Sequence, residues 1–343
     1  MSAPRRSPEG EVLETVKRRQ KILHLLKILQ QETDDEHSLS LPDIRQKLMD
    51  YGIVADRKAL YLDLEGLIDH GYGIESTFGR TACYKMVSRE FELAELKLLA
   101  DAVSSAKFLS KTTVNELIDK LGTLCSRYQR DQLKRDVLVT SRKCMTPQEG
   151  KKVLYNVSEI HRAINENKKI SFKYFYYNKK KSRTQRKSLR LISPYNLVWN
   201  DEQYYLIGYE EAGKDGSEGC IKNFRVDRMT EVQVTTEQRR KAPKGYSAER
   251  HVEEAFSMFS GETVTVELKF MHEHLMNSVI DKFGTEVKVI KNAGDSFNVL
   301  VPVIPSGPFY GWLFQFGDEV EIVAPANIRK EYKELLQKVS GRY

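Results

Sequence analysis

Hydrophobic positions in the first part of the chain recur at helical spacing and stop at polar or glycine-containing breaks. Apolar residues at intervals of three and four between residues 11 and 31 predict a packed helix. After a polar break, Ser40, with a proline two residues later, predicts the start of a short helix that Gly52 ends. Asp56 is a good helix cap, and residues 57–68 continue as a third predicted helix.

The segment from Gly73 to Met86 has β-prone residues on both sides of a glycine-containing turn, which predicts a hairpin. Three helices followed by a hairpin is the order of a winged helix-turn-helix domain, in which the start of the second helix of the motif faces base edges of duplex DNA. A small helical bundle with a basic surface is the alternative interpretation, and the hairpin favours the winged domain. The candidate DNA-binding residues are Arg57, Lys58, Tyr61 and Arg80.

The middle of the chain changes from helical to β-type periodicity. Residues 91–128 carry two helical apolar stripes that predict a connector, and a polar stretch over residues 126–150 precedes a predicted helix at residues 153–167. From Ile170 the pattern alternates, and several short strands after one helix predict a small barrel with a concave face for a ligand. The predicted β-rich runs cover residues 170–176, 189–199, 204–209 and 221–234.

The last part of the chain predicts the order strand, helix, two strands, helix, strand, which is ferredoxin-like, followed by a final helix. The predicted fold class is therefore multidomain α+β. The predicted domains are a winged helix-turn-helix domain at residues 1–87, a helical connector at 88–150, a small β-barrel domain at 151–235, a linker at 236–261 and a ferredoxin-like domain at 262–343.

Charge changes this picture by indicating the kind of partner. The 343-residue chain has a formal net charge of +7, which favours anionic partners without identifying them. Between Glu166 and Asp201 there is no acidic residue, whereas ten lysines and arginines are interleaved with aromatic residues. Cations beside aromatic rings are typical of surfaces that bind polyanions, although a charged run is more often a solvated hairpin.

Several classes of function are disfavoured by the motifs that the chain lacks. The four cysteines are dispersed and have no histidine at zinc-ligand spacing, so no cofactor, metal or disulfide is predicted. There is no phosphate-binding glycine loop, nucleophile elbow or zinc-protease motif, and we expect the protein not to be an enzyme. No apolar segment near the N-terminus resembles a signal peptide, so a cytoplasmic location and no membrane partner are expected.

Three ordered motifs in the β-rich region resemble those of the WYL-domain transcriptional regulators. The motifs are Ser193-Pro194-Tyr195, Tyr204-Tyr205-Leu206 and Phe224-Arg225-Val226-Asp227-Arg228-Met229. The resemblance covers nearly the whole chain, and it implies a winged helix, an Sm-like barrel and a ferredoxin-like C-terminal extension. It also implies a ligand-responsive DNA-binding regulator, and some members of the family respond to single-stranded DNA.

The chain departs from the family pattern at three positions. Tyr204 replaces the tryptophan of the Trp-Tyr-Leu triplet, which keeps an aromatic face but changes the shape of the pocket. Ala59 and Leu62 replace a hydroxyl and a cation that the family often has in the recognition helix. The operator sequence of relatives therefore does not carry over to this chain.

The resemblance implies a ligand site in the WYL region. Arg225 and Arg228 present guanidinium groups that match phosphate oxygens, while an ion pair with Asp227 or Glu231 is the alternative for either arginine. Because side chains alternate across a strand, Tyr204 and Tyr205 face opposite sides. The candidate ligand-binding residues are Lys173, Ser193, Tyr195, Tyr204, Tyr205, Arg225 and Arg228.

Together these patterns predict a homodimeric transcriptional regulator. Its expected partners are a double-stranded DNA operator and a negatively charged ligand, namely single-stranded nucleic acid or a nucleotide. The alternative is a non-transcriptional accessory protein that binds RNA or single strands, and sequence-specific duplex binding distinguishes the two.

Overall fold

The computed structural model describes residues 8–77, 81–136, 146–180, 182–185, 189–211, 219–292 and 294–343. The fold is mixed α and β, and the chain divides into two compact units, Met1–Lys151 and Lys152–Tyr343. Among the described residues, no helix combines the length and the apolar character needed to cross a membrane.

The first unit begins with three helices and a small antiparallel sheet. Its elements are α1 (Pro8–Glu32), β1 (Leu39–Ser40), α2 (Leu41–Asp50), α3 (Arg57–Asp69), β2 (Ile74–Thr77) and β3 (Cys83–Met86). The strand order is β1-β3-β2. Both predicted caps are present, since the Ser40 and Asp56 side chains accept hydrogen bonds from the backbone N–H groups of Asp43 and Ala59.

The core of this region forms where the apolar faces of its helices meet. Leu25 and Leu29 of α1 are fully buried with Leu60 and Leu64 of α3, and Tyr84 of β3 closes the cluster. These positions are the inward-facing ones that helical spacing predicts. The opposite side of α3 is therefore left in solvent.

The rest of the first unit contains a helix that the sequence pattern did not predict. Its helices are α4 (Leu93–Ser105), α5 (Lys111–Leu121) and α6 (Arg127–Asp136), with a 3-10 turn at Gly122–Leu124. Residues 126–150 were predicted only as a polar stretch, and α6 shows that the first part of this stretch is helical. The helix has no apolar stripe to reveal it, because Leu133 is its one residue in a buried cluster, with Leu96 and Cys125.

The second unit begins within one helix, whose first five residues belong to the first unit, and continues with six strands. They are α7 (Pro147–Asn165), β4 (Lys168–Tyr177), β5 (Arg183–Gln185), β6 (Arg190–Asn200), β7 (Gln203–Glu210), β8 (Cys220–Arg225) and β9 (Met229–Gln238). The antiparallel order is β5-β4-β6-β7-β8. Strand β9 also pairs with β4, on the edge opposite to β6. The predicted run over residues 221–234 is two strands, because a 3-10 turn at Val226–Arg228 separates β8 from β9.

The interior of these strands is apolar and closely packed. Phe172, Ile192, Leu206 and Phe224 are almost completely buried. A Cβ atom at Gly208 would lie 2.6 Å from the Ile192 side chain and 2.9 Å from the Ser193 carbonyl oxygen. Only glycine lets β6 and β7 approach this closely.

The end of the chain forms a second sheet. Its elements are α8 (Ala248–Glu254), β10 (Val264–Phe270), α9 (Met276–Phe283), β11 (Lys288–Lys291), β12 (Phe297–Val303), α10 (Gly307–Phe314), β13 (Val320–Ala324) and α11 (Ala326–Ser340). The antiparallel order is β11-β12-β10-β13. From β10 to β13 the elements follow the predicted order of strand, helix, two strands, helix and strand.

The segment predicted as a linker, residues 236–261, contains regular structure and buried residues. It holds the end of β9, all of α8 and a 3-10 turn at Phe256–Met258. Phe256 and Met258 are each 4% exposed. This segment therefore packs as part of the second unit.

Candidate functional site

The start of α3 presents cations to solvent. Arg57 and Lys58 occupy the first turn and are exposed. The Arg57 Nη2 donates to the Tyr61 hydroxyl at 3.1 Å, and Tyr61 leans edge-on against Tyr84 with ring centroids 6.5 Å apart. Three of the four predicted DNA-binding residues therefore lie in the first two turns of α3, while Arg80 lies outside the described residues.

Tyr205 and Arg225 lie side by side in the second unit. They are directly paired between β7 and β8, so their side chains share one face of the sheet. Tyr205 is 8% exposed and packs with Ile207 and Met258. Burial raises the pKa of the Tyr205 phenol, and the positive charges of Arg225 and Arg228 oppose that rise. Tyr205 is therefore a neutral, mostly covered ring at the centre of the candidate site.

Arg225 and Arg228 differ in their partners. Arg225 forms a two-point ion pair with Asp227, with Nε to Oδ1 at 3.0 Å and Nη2 to Oδ2 at 2.8 Å. Within the described part of the chain, Arg228 is half-buried and makes no hydrogen bond or ion pair. Its charge acts on both Tyr174 and Tyr205. The ion pair considered as an alternative from sequence is thus present for Arg225, and Arg228 is the guanidinium left available.

Tyr174 belongs to the same cluster, although the sequence motifs did not include it. Its hydroxyl accepts the backbone N–H of Arg225 at 3.2 Å, and burial raises the pKa of the phenol. Its ring lies edge-on to Phe224 at a centroid distance of 5.8 Å. The alternating pattern of β4 indicated a half-buried aromatic here, but its contact with Arg225 depends on the pairing of distant strands.

A second group of charged side chains lies on β6, β7 and β8. The Arg190 guanidinium lies 5.3 Å from the centre of the Phe224 ring and forms an ion pair with Glu210. Lys222 binds the other oxygen of Glu210 at 2.6 Å. Burial raises the pKa of Glu210, but Lys222 and Arg190 together hold it below its usual value. Arg190 and Lys222 are therefore both ion-paired with the Glu210 carboxylate.

The remaining predicted ligand residues are engaged by other parts of the second unit. Lys173 forms an ion pair with Glu231 at 2.8 Å. Ser193, 1% exposed, accepts the backbone N–H of Arg240 at 3.0 Å. Tyr195, 5% exposed, donates its hydroxyl to the Lys241 carbonyl at 3.2 Å.

The structure does not bring all seven predicted ligand residues together. Ser193 pairs with Tyr209, four residues along β7 from Tyr205, which is about 13 Å at the rise of a strand. Tyr204 faces the side of β7 opposite to Tyr205, and its ring meets Trp199 edge-on at 4.8 Å. Tyr205, Arg225 and Arg228 form one group, whereas Ser193 and Tyr195 hold the segment after β9.

Family comparisons match both parts of the second unit. The WYL domain matches residues 155–234, and the WCX domain matches residues 248–340. The chain belongs to the WYL-domain family. The WYL match contains all seven candidate ligand residues of this WYL-domain protein.

Two solved structures also align with the WYL-domain protein. One is proteasome accessory factor B/C (PafBC) of Arthrobacter aurescens, 18% identical, with 94% of this chain and 46% of that chain covered at a TM-score of 0.27. The other is a CRISPR Cas-related protein, 14% identical, with 100% of this chain and 88% of that chain covered at a TM-score of 0.37. The chain spans less than half the length of the PafBC chain. No curated protein matches it. The family assignment rests on the two domain matches, since both TM-scores are low.

The described ranges contain no group of three or more histidine, cysteine, aspartate or glutamate side chains that could hold a metal ion. Cys83, Cys125 and Cys220 are free thiols, and Cys144 lies outside the described residues.

Proposed function

We propose that this WYL-domain protein is a cytoplasmic, ligand-responsive transcriptional regulator that binds duplex DNA. The observation that carries the proposal is the pair of exposed cations, Arg57 and Lys58, at the start of α3 in a chain with a WYL domain. The element order from α1 to β3 is the one that a winged helix-turn-helix domain has, which supports this role for α3. The protein then inserts the start of α3 into the major groove.

The second unit supplies the ligand response in this proposal. Strand order β8-β7-β6-β4-β9 after a helix supports an Sm-like barrel, and the order β11-β12-β10-β13 supports a ferredoxin-like extension. Arg228 makes the first contact with an anionic ligand, because its guanidinium has no carboxylate partner among the described residues. Asp227 binds the Arg225 guanidinium through two hydrogen bonds and orients it beside Tyr205.

The ligand class follows from the groups in this cluster. A guanidinium favours phosphate, and aromatic rings beside it stack on bases at about 1–3 kcal/mol each. Single-stranded nucleic acid or a nucleotide offers both features. Catalysis is not part of the proposal, which assigns binding roles alone to these residues.

Regulation requires the ligand to bind two conformations of the protein unequally. A homodimer fits a two-fold symmetric operator, and the ligand changes operator affinity by shifting the placement of the two copies of α3. The free-energy coupling between ligand and operator is reciprocal. Operator DNA therefore also changes the affinity for the ligand.

Selection of duplex sequences from a random pool tests the proposal. We expect an enriched sequence, and loss of its binding in an Arg57→Ala/Lys58→Ala variant at matched salt. Lys111 and Lys120 are exposed on α5, so Lys111→Ala/Lys120→Ala removes the same charge and serves as the control. Equal duplex affinity of wild-type protein and the α3 variant would contradict the DNA-binding role. Binding to single strands or RNA without an enriched duplex would favour the accessory-protein alternative.

A further inference from the structure

A segment of the chain lies across the face of β7 and β8 that carries Tyr205. We call residues 246–260 the strap. The Asn223 side chain on β8 donates to the Met258 carbonyl at 2.9 Å, and the Asn223 backbone N–H donates to the Ser260 hydroxyl at 3.0 Å. One β8 residue thus binds the end of the strap twice.

The start of the strap is held by half-buried polar groups. The Tyr246 hydroxyl donates to the Asn196 side chain at 3.0 Å, and burial raises the pKa of Tyr246 to about 12. His251 Nε2 lies 3.0 Å from Asn223 Oδ1, and burial lowers the pKa of the imidazole. A neutral imidazole with its proton on Nε2 donates this hydrogen bond. The strap is therefore fixed along its length by neutral hydrogen bonds.

Two residues near the end of the strap enter different cores. Phe256 packs in the core of the C-terminal sheet, with Phe309 at a ring-centroid distance of 5.2 Å. Met258 packs with Tyr205 and Ile207 on the face of β7. The intervening Ser257 is exposed. A single residue of chain therefore separates a side chain on the face of β7 from one in the C-terminal core.

The closed strap holds a strained backbone. Ser257 has φ 48° and Met258 has φ 56°, in the left-handed region that non-glycine residues disfavour. Such conformations persist where surrounding contacts compensate for them, and they occur often at switch regions. Burial of Met258 is the contact that compensates here.

The strap covers the candidate ligand site as well as the sheet. Asn223 and Arg225 are two residues apart on β8, so their side chains point to the same face. Tyr205 is paired with Arg225 on that face. The strap thus covers Tyr205, the cross-strand neighbour of Arg225 on this face.

We infer that the strap forms a reversible closing contact. It covers Tyr205 on the face of β7, and it moves away from this face before a ligand can stack on Tyr205. Lifting removes Met258 from Tyr205, relieves the backbone at Ser257 and Met258, and transmits the change through Phe256 to the C-terminal domain. The ligand part of this inference rests on the proposed function, whereas the closing contact does not.

Two substitutions in the strap shift this equilibrium in opposite directions. Met258→Ala removes the side chain that holds the strap closed, and we expect about tenfold or more faster hydrogen–deuterium exchange of the strap amides and the Asn223 amide. Ser257→Gly relieves the left-handed backbone without removing a contact, so exchange at the same amides slows. Phe259→Ala is the matched control, because Phe259 is 52% exposed and its loss leaves exchange unchanged.

Binding of a fluorescein-labelled oligothymidylate measures access to Tyr205. The apparent affinity for a ligand that needs the open state scales with the open fraction. Met258→Ala is therefore expected to raise the oligothymidylate affinity by the same factor as the exchange rate, and Ser257→Gly to lower it. Full-length protein is used throughout, and a cooperative thermal transition with an unchanged far-ultraviolet circular dichroism spectrum shows that each variant is folded.

The outcomes separate the strap from the proposed function. Unchanged exchange in both Met258→Ala and Ser257→Gly overturns the closing contact. Faster exchange in Met258→Ala with unchanged or weaker oligothymidylate binding overturns the gating of Tyr205. If the oligothymidylate binds no variant, the proposed ligand class fails, and the opposite exchange responses of the two variants still support the closing contact.

Discussion

The start of α3 and the arginine cluster after β8 use the same kind of side chain in different surroundings. Arg57 and Lys58 are exposed, and the partner of Arg57 is a neutral tyrosine hydroxyl. Arg225 and Arg228 are half-buried, and a carboxylate fixes Arg225. Exposed cations attract any phosphate chain and are screened by salt, whereas half-buried guanidinium groups act at fixed positions and are screened less. The first arrangement favours docking on duplex DNA, and the second favours selection of one ligand.

The largest expected effect is the loss of ligand binding in Arg228→Ala. A charged hydrogen bond to phosphate contributes about 1.5–3 kcal/mol, so oligothymidylate affinity should fall about tenfold or more. The free energy of unfolding should change by less than about 0.5 kcal/mol, because Arg228 has no partner among the described residues. Fluorescence anisotropy and urea unfolding measure the two quantities. An affinity loss confined to Arg225→Ala would reverse the roles of the two arginines.

Next in size is the stability effect of Asp227→Ala. Removing this carboxylate leaves the half-buried Arg225 without its two-point partner, which should cost about 1–3 kcal/mol of unfolding free energy. Arg57→Ala, which breaks an exposed hydrogen bond to Tyr61, should cost less than about 0.5 kcal/mol. Urea unfolding monitored in each variant gives the comparison. Equal losses would show that burial does not distinguish the two regions.

A smaller effect is expected for the single change Lys58→Ala at the start of α3. Losing one phosphate contact should lower the slope of log affinity against log salt by about 1 for duplex DNA. The matched change Lys120→Ala on α5 should leave the slope unaltered. Titrations of the selected duplex at several salt concentrations provide the measurement, and a slope shared by Lys58→Ala and wild type would remove Lys58 from the interface.

The smallest effect concerns pH and the ion pairs of Glu210. The pKa of Glu210 is lowered in the folded state, so its contribution to stability is present above the unfolded pKa and is lost as pH falls through the folded pKa. Glu210→Gln should therefore reduce stability by about 1 kcal/mol or less at neutral pH and leave it unaffected below both pKa values. Thermal unfolding across the acidic range tests this. A variant that loses as much stability in acid as at neutral pH would exclude the ionised form as the cause.

Much of the fold could be predicted because it depends on local patterns. The caps at Ser40 and Asp56, the strands of the WYL region and the order of the C-terminal elements all follow from spacing and cap chemistry. Helix α6 was missed because it buries Leu133 alone within a polar sequence. The winged-helix, barrel and domain-boundary assignments stay predictions, as do the site roles of individual residues.

The sequence by itself determined which residues carry the motifs of this WYL-domain protein, since composition and spacing are properties of the chain. Only the tertiary structure decided which of them are available. Asp227 reaches Arg225 because the 3-10 turn after β8 turns it back, and Met258 covers Tyr205 because the strap crosses the paired strands. Availability depends on contacts between residues distant along the chain, and periodicity does not encode those contacts.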